Sequence, residues 1–151
     1  MNNRSLIFPL MLLFTACDVS EAPKGKIITI QNGEQINRYH DPVQVAEGGE
    51  LFQKHCAQCH GNNGEGDPEW RQRDADGMFP PPPLNGSGHA WHHPITFLRE
   101  RIKNGTVPEG RMPAQGDKLS SDEIDAVIAW FQSQWPDQLY GAWHEIEQRN
   151  K

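Results

Sequence analysis

The sequence predicts an all-α domain of about three to five short helices, and three observations carry that reading. Apolar residues recur at helical spacing in three separate segments, each with plausible start and stop residues. The 12 prolines and 14 glycines leave much of the remaining chain to loops and exclude many long elements. The run Cys56-Ala57-Gln58-Cys59-His60 follows the first helical segment, and no β-rich pattern surrounds it.

Each helix has its own signals. Val43 to His55 reads as an amphipathic helix with Val45, Leu51 and Phe52 as apolar residues. Gly48 and Gly49 are poor helix formers, so close approach of another element best explains them. Pro94 to Lys103 carries Ile95, Leu98 and Ile102 on one face, with Pro94 at its start and Asn104-Gly105 as its C-terminal cap. The third segment opens at Ser120 with Glu123 at capping-box spacing. Ile124, Val127, Ile128 and Phe131 follow at helical spacing, and the helix ends before Pro136.

Composition narrows the function classes. The chain has 151 residues, 36% hydrophobic and 23% charged, with a formal net charge of −6. An acidic surface argues against nucleic acid and favours basic protein partners, if any class. No stretch is long and apolar enough to form a permanent membrane-spanning helix. Nothing resembles a nucleophile–base pair, a Walker loop or a dinucleotide fingerprint.

Residues 1–16 read as a signal peptide: Arg4 is the basic start, Leu6 to Phe14 the apolar core, and Thr15-Ala16 the small residues before Cys17. Small residues followed by cysteine resemble a bacterial lipobox, in which Cys17 is lipidated and becomes the new N-terminus. Ordinary secretion, with Cys17 trimmed away or left free, is the alternative. Asp18 resembles the inner-membrane retention signal of some lipoproteins. Residues 17–42 are then a lipidated N-terminus and loose tether, in which Lys26 to Ile30 is apolar enough for a short strand but lacks an evident partner.

Three cysteines are awkward for a secreted disulfide protein. A zinc ribbon needs a second Cys or His pair at ligand spacing, and no further cysteine exists. A thioredoxin-type pair opens a helix in a βαβ unit, whereas Cys56 follows a helical stretch. His60 decides the matter. Two cysteines three apart with an adjacent histidine are the attachment signature of a c-type haem: Cys56 and Cys59 form thioethers and His60 lies beneath the iron. With Cys17 lipidated, no thiol is left over.

The order helix, Cys-x-x-Cys-His, proline loop, short helix, methionine loop, terminal helix resembles the small mono-haem class I c-type cytochromes over residues 43–135. The resemblance implies an all-α class I cytochrome c fold wrapped around one covalent haem c and its iron. In that family the N-terminal helix carries a glycine against which an aromatic of the last helix crosses, matching Gly48 and Trp130. Pro82-Pro83-Leu84-Asn85-Gly86 matches the family's Pro-x-Leu-x-Gly loop, which implies that the Pro82 carbonyl orients His60. Gly110-Arg111-Met112-Pro113 matches the loop that presents the distal ligand, Met112.

Position also favours Met112. Met78 lies before the proline loop that should pass on the histidine side, whereas Met112 lies between two helices and is stiffened by Pro113. Competing ligands are His40, His55, His89, His92 and His93; a second histidine ligand would lower the potential relative to methionine. His89 and His93 are four apart and suggest a second metal site, but Gly88 and Pro94 favour a loop that shields the haem edge. Residues 136–151 extend beyond the class I pattern, with Leu139, Tyr140, Trp143 and Ile146 on a helix packed back on the domain. The implied function is one-electron transfer between redox-protein partners, on the periplasmic side of a membrane reached through a lipid anchor. The rival readings are a haem enzyme or gas sensor with a labile distal ligand, and a metal-handling lipoprotein.

Overall fold

The computed structural model describes residues 25–108 and 110–151. The expected signal peptide, the expected lipidation site Cys17 and the first part of the expected tether lie outside the described residues. Among the described residues there are five helices, α1 (Pro42–His55), α2 (Ala57–His60), α3 (Ile95–Asn104), α4 (Ser121–Ser133) and α5 (Asp137–Arg149), with a single 3₁₀ turn at Ala90–His92. They are joined by one hairpin, β1 (Lys26–Thr29) and β2 (Gln35–Arg38). The fold is mostly helical, as a class I cytochrome c requires. None of the described helices is long and apolar enough to cross a membrane.

Local chemistry sets the helix ends. Asp41 accepts the Val43 N–H at 2.9 Å and starts α1 with Pro42 in its first turn. Ser120 and Glu123 make both bonds of a capping box at the start of α4. Gly105, at φ 71°, ends α3.

The core is the crossing of α1 and α4. Phe52 is completely buried, packed among Ile124, Val127, Ile128 and Phe131. Gly48 makes the crossing possible, because a Cβ there would lie 1.9 Å from the Ala126 carbonyl oxygen. Trp130 meets the next residue instead: its ring is 3.0 Å from where a Gly49 Cβ would stand, and it packs on Phe52 at 4.1 Å between centroids. The pairing expected between Gly48 and Trp130 is therefore shifted by one residue.

The tether reading fails from residue 26 onward. The strand at Lys26–Thr29 has a partner, Gln35–Arg38, paired antiparallel with Ile28 opposite Ile36. Ile28, Ile30 and Ile36 are buried, and Ile30 fits against Gly141 of α5, where a Cβ would come within 2.8 Å of it. Arg38 fastens the hairpin. Its guanidinium donates to Asp137 at 2.8 Å and to the carbonyls of Gln132 and Ser133 at 3.0 and 3.1 Å, and lies over the Tyr140 ring. A cation there complements the exposed carbonyls at the C-terminal end of α4. α5 buries Tyr140 and Trp143 toward Trp135, so the C-terminal helix is part of the domain's core.

Candidate haem-binding site

α1 runs directly into the Cys-x-x-Cys-His turn. The Cys56 N–H still donates to Phe52, and Cys59 and His60 N–H groups both donate to the Cys56 carbonyl, at 3.1 and 3.0 Å. Cys56 is half-buried, Cys59 is exposed, and no disulfide joins them. Burial, and secondarily the neighbouring Cys59, push the Cys56 thiol up to about 11. A thioredoxin-type attacking cysteine requires a shift in the opposite direction.

His60 is 8% exposed, and its Nδ1 lies 2.9 Å from the Pro82 carbonyl oxygen. A carbonyl only accepts, so Nδ1 carries the proton and the lone pair is left at Nε2. Burial lowers the His60 pKa, against a smaller opposite effect of the Pro82 bond, which favours the neutral ring that a metal needs. Backbone contacts bring Pro82 into place. Gly66 donates to His60 O at 2.7 Å, Asp67 to Pro81 O at 2.9 Å, and Leu84 to Gly64 O at 2.7 Å. Gly66 has φ 65°, and a Cβ there would stand 2.5 Å from Pro83 N, so glycine alone fits this approach. Trp135 steadies the far end of the loop by donating from Nε1 to Leu84 O at 2.7 Å.

Met112 lies in the connection from α3 to α4, partly buried against the core. A reciprocal pair of bonds holds it: its N–H donates to Thr106 Oγ1 at 3.0 Å, and the Thr106 N–H donates to Met112 O at 2.8 Å. Gly105 passes so close that a Cβ would come within 2.5 Å of Met112 O. Met78 sits elsewhere, with its N–H and carbonyl both bonded to Asp74 in a closed turn. Sequence reasoning missed Thr106 and Gly66. For Gly66 the signal was the pair of glycines, Gly64 and Gly66, soon after the motif; for Thr106 there was none.

His40, His89 and His93, three of the competing histidines, pack against aromatic rings. His40 packs edge-on against Tyr140 at 5.3 Å. His89 stacks on Trp70, His93 stacks on Phe97, and the two imidazoles meet edge-on at 5.4 Å. Among the described residues no group of three or more His, Cys, Asp or Glu side chains is placed to hold a metal ion. The residues at the turn do fit a haem. A half-buried Cys56 caps one turn of helix, an exposed Cys59 sits within it, and a buried imidazole protonated at Nδ1 follows them.

This helix order and this turn define a small c-type cytochrome. Residues 43–131 match the family described as cytochrome c oxidase, cbb3-type, subunit III, and the chain belongs to that family. It is 33% identical over 91 residues to the cbb3-type cytochrome c oxidase subunit FixP of Azorhizobium caulinodans. The aligned stretch is 60% of this chain but 27% of that relative. No solved structure matches the chain. Membership implies covalently bound haem c with iron and a part in electron transfer.

Proposed function

We propose that this chain is a one-electron carrier with His60 and Met112 as the axial ligands of its haem iron, working on the periplasmic side of a bacterial membrane. The observation that carries it is the buried His60 ring held at Nδ1 by Pro82, 2.9 Å away, within the Cys-x-x-Cys-His turn. Bound there, haem c supplies an iron that takes up and gives back one electron.

The chain's own residues do the rest. Cys56 and Cys59, at and just after the end of α1, would hold the haem through thioether bonds. Pro82 holds the His60 ring and raises its basicity as a ligand. Met112, clasped by Thr106, would supply a neutral thioether ligand, which would favour the reduced state and raise the potential. Both ligands sit on tightly hydrogen-bonded backbone, so little rearranges between oxidation states. A resident catalytic role is not part of this reading. Lipidation of Cys17 anchors the domain, most readily at the inner membrane. Donor and acceptor are redox proteins, and an oxidase assembly is the first acceptor to test, given the FixP relative.

A redox titration with optical spectra of the mature protein, beside Met112→Ala, tests the reading. The wild type should show the ferric charge-transfer band of methionine–iron ligation, and the variant should lose it and titrate at a lower potential. A wild type without that band would overturn the carrier reading in favour of an open-site haem protein.

A further inference from the structure

The stretch from Asp74 to Met78 belongs to neither the haem turn nor the ligand loop, yet it is tightly organised. The Asp74 N–H donates to Met78 O at 2.9 Å, and the Gly77 N–H donates to Asp74 O at 2.9 Å. The Asp74 carboxylate accepts the N–H groups of Asp76 and Met78 at 2.9 and 3.0 Å. The result is a closed turn that presents two carboxylates, Asp74 and Asp76.

Arg111 reaches those carboxylates from the ligand loop. One guanidinium nitrogen lies 2.6 Å from Asp74 Oδ2, and another pairs with Asp76. Arg111 directly precedes Met112 in sequence. Inside the loop, Thr106 holds Met112 and also accepts the Gly110 N–H at 2.7 Å. The loop is thus clasped within by Thr106 and tied from outside by Arg111.

We infer that the Asp74–Met78 turn is a brace for the distal-ligand loop, and that Arg111, Asp74 and Asp76 are positioning residues that slow the departure of Met112 from the iron. The inference rests on Met112 being the distal ligand. A planar guanidinium spanning two carboxylates fixes direction as well as distance, which a lysine would not. The Arg111 side chain is 51% exposed, so solvent screens the pairs and the effect on ligand release is modest. Asp74 is the better anchor, since two backbone N–H groups already hold its carboxylate charged and fixed.

Stopped-flow binding of imidazole to the oxidised, haem-loaded protein reads the release of Met112, because the added ligand enters when the thioether leaves. Arg111→Ala should bind imidazole about three- to fivefold faster than wild type, the scale of an exposed ion pair. Arg111→Lys should recover only part of the difference. Asp74 also caps its own turn, so Asp76→Asn is the cleaner partner variant and should accelerate binding by a smaller factor. The Arg111→Ala/Asp76→Asn double variant should be no faster than Arg111→Ala alone. Thermal midpoints within about 3 °C of wild type show that the change is local. The brace is overturned if Arg111→Ala and Asp76→Asn both bind imidazole at the wild-type rate, or if their effects multiply. If the wild type lacks the methionine–iron band, the ligand assignment fails and takes the brace with it. If the band is present and the kinetics do not change, the brace alone fails.

Discussion

Around His60 the chain is held backbone to backbone, whereas the hairpin and α5 are joined side chain to side chain. In the first region, Gly64, Gly66, Asp67 and Leu84 exchange main-chain bonds with His60 and the proline loop, and the bond that orients the imidazole is accepted by a main-chain carbonyl. In the second, one guanidinium, three aromatic rings and a cluster of isoleucines do the work. The difference predicts opposite sensitivities. In stability, the proline loop behind His60 should tolerate changes of side chain better than changes of backbone conformation, and the hairpin end the reverse.

The largest expected effect is Gly66→Ala. The left-handed φ costs roughly 1–2 kcal/mol, and the overlap with Pro83 adds roughly 1–3. Urea unfolding of the haem-loaded protein should therefore show a loss of about 2–5 kcal/mol. Pro82→Ala, which keeps the accepting carbonyl, should lose under about 1 kcal/mol. Equal losses would erase the contrast.

Arg38→Ala comes next. It removes a guanidinium whose side chain is 9% exposed and leaves the last carbonyls of α4 without their cation, so about 2–3 kcal/mol should be lost in the same assay. The visible haem spectrum should not change, because the damage is confined to the hairpin end.

The smallest effect is on acid stability, because His40 is only half-buried and solvent screens much of what its shift would imply. Burial, and then the charge of Arg38, hold His40 at about 4, well below an ordinary histidine. Between roughly pH 6.5 and 4 the unfolded chain binds a proton there that the folded one does not. Stability from this group should therefore fall as pH drops through that window and level off below it. Thermal midpoints measured across the window should slope less steeply in His40→Gln. An unchanged slope would show that His40 is not the group responsible.

The same contrast explains what could be read from the sequence. α1, α3 and α4 announce themselves through apolar spacing and local caps, which need no knowledge of distant contacts. The turn at Cys56–His60 is equally local. β2 is not: Gln35-Ile36-Asn37-Arg38 has one apolar residue, and its place depends on Arg38 reaching α4 and α5 across the fold. Thr106 was hidden for a related reason, since its hydroxyl matters only once the loop has closed on Met112. Gly48 was correctly expected at a close approach, but which group approaches depends on where two helices cross, and a shift of one residue exchanged a ring for a backbone carbonyl.

The Arg38 fastening also sets how the domain bears load. A pull applied at Gly25 would be taken up first by β1. From there it passes through the hairpin to Arg38 and Lys26, and so to Asp137 and the start of α5. That line of force runs past the end of α4 and bypasses the loops that close on His60 and Met112. Tension applied at this end would spend itself on ion pairs and buried isoleucines before it disturbed His60 or Met112.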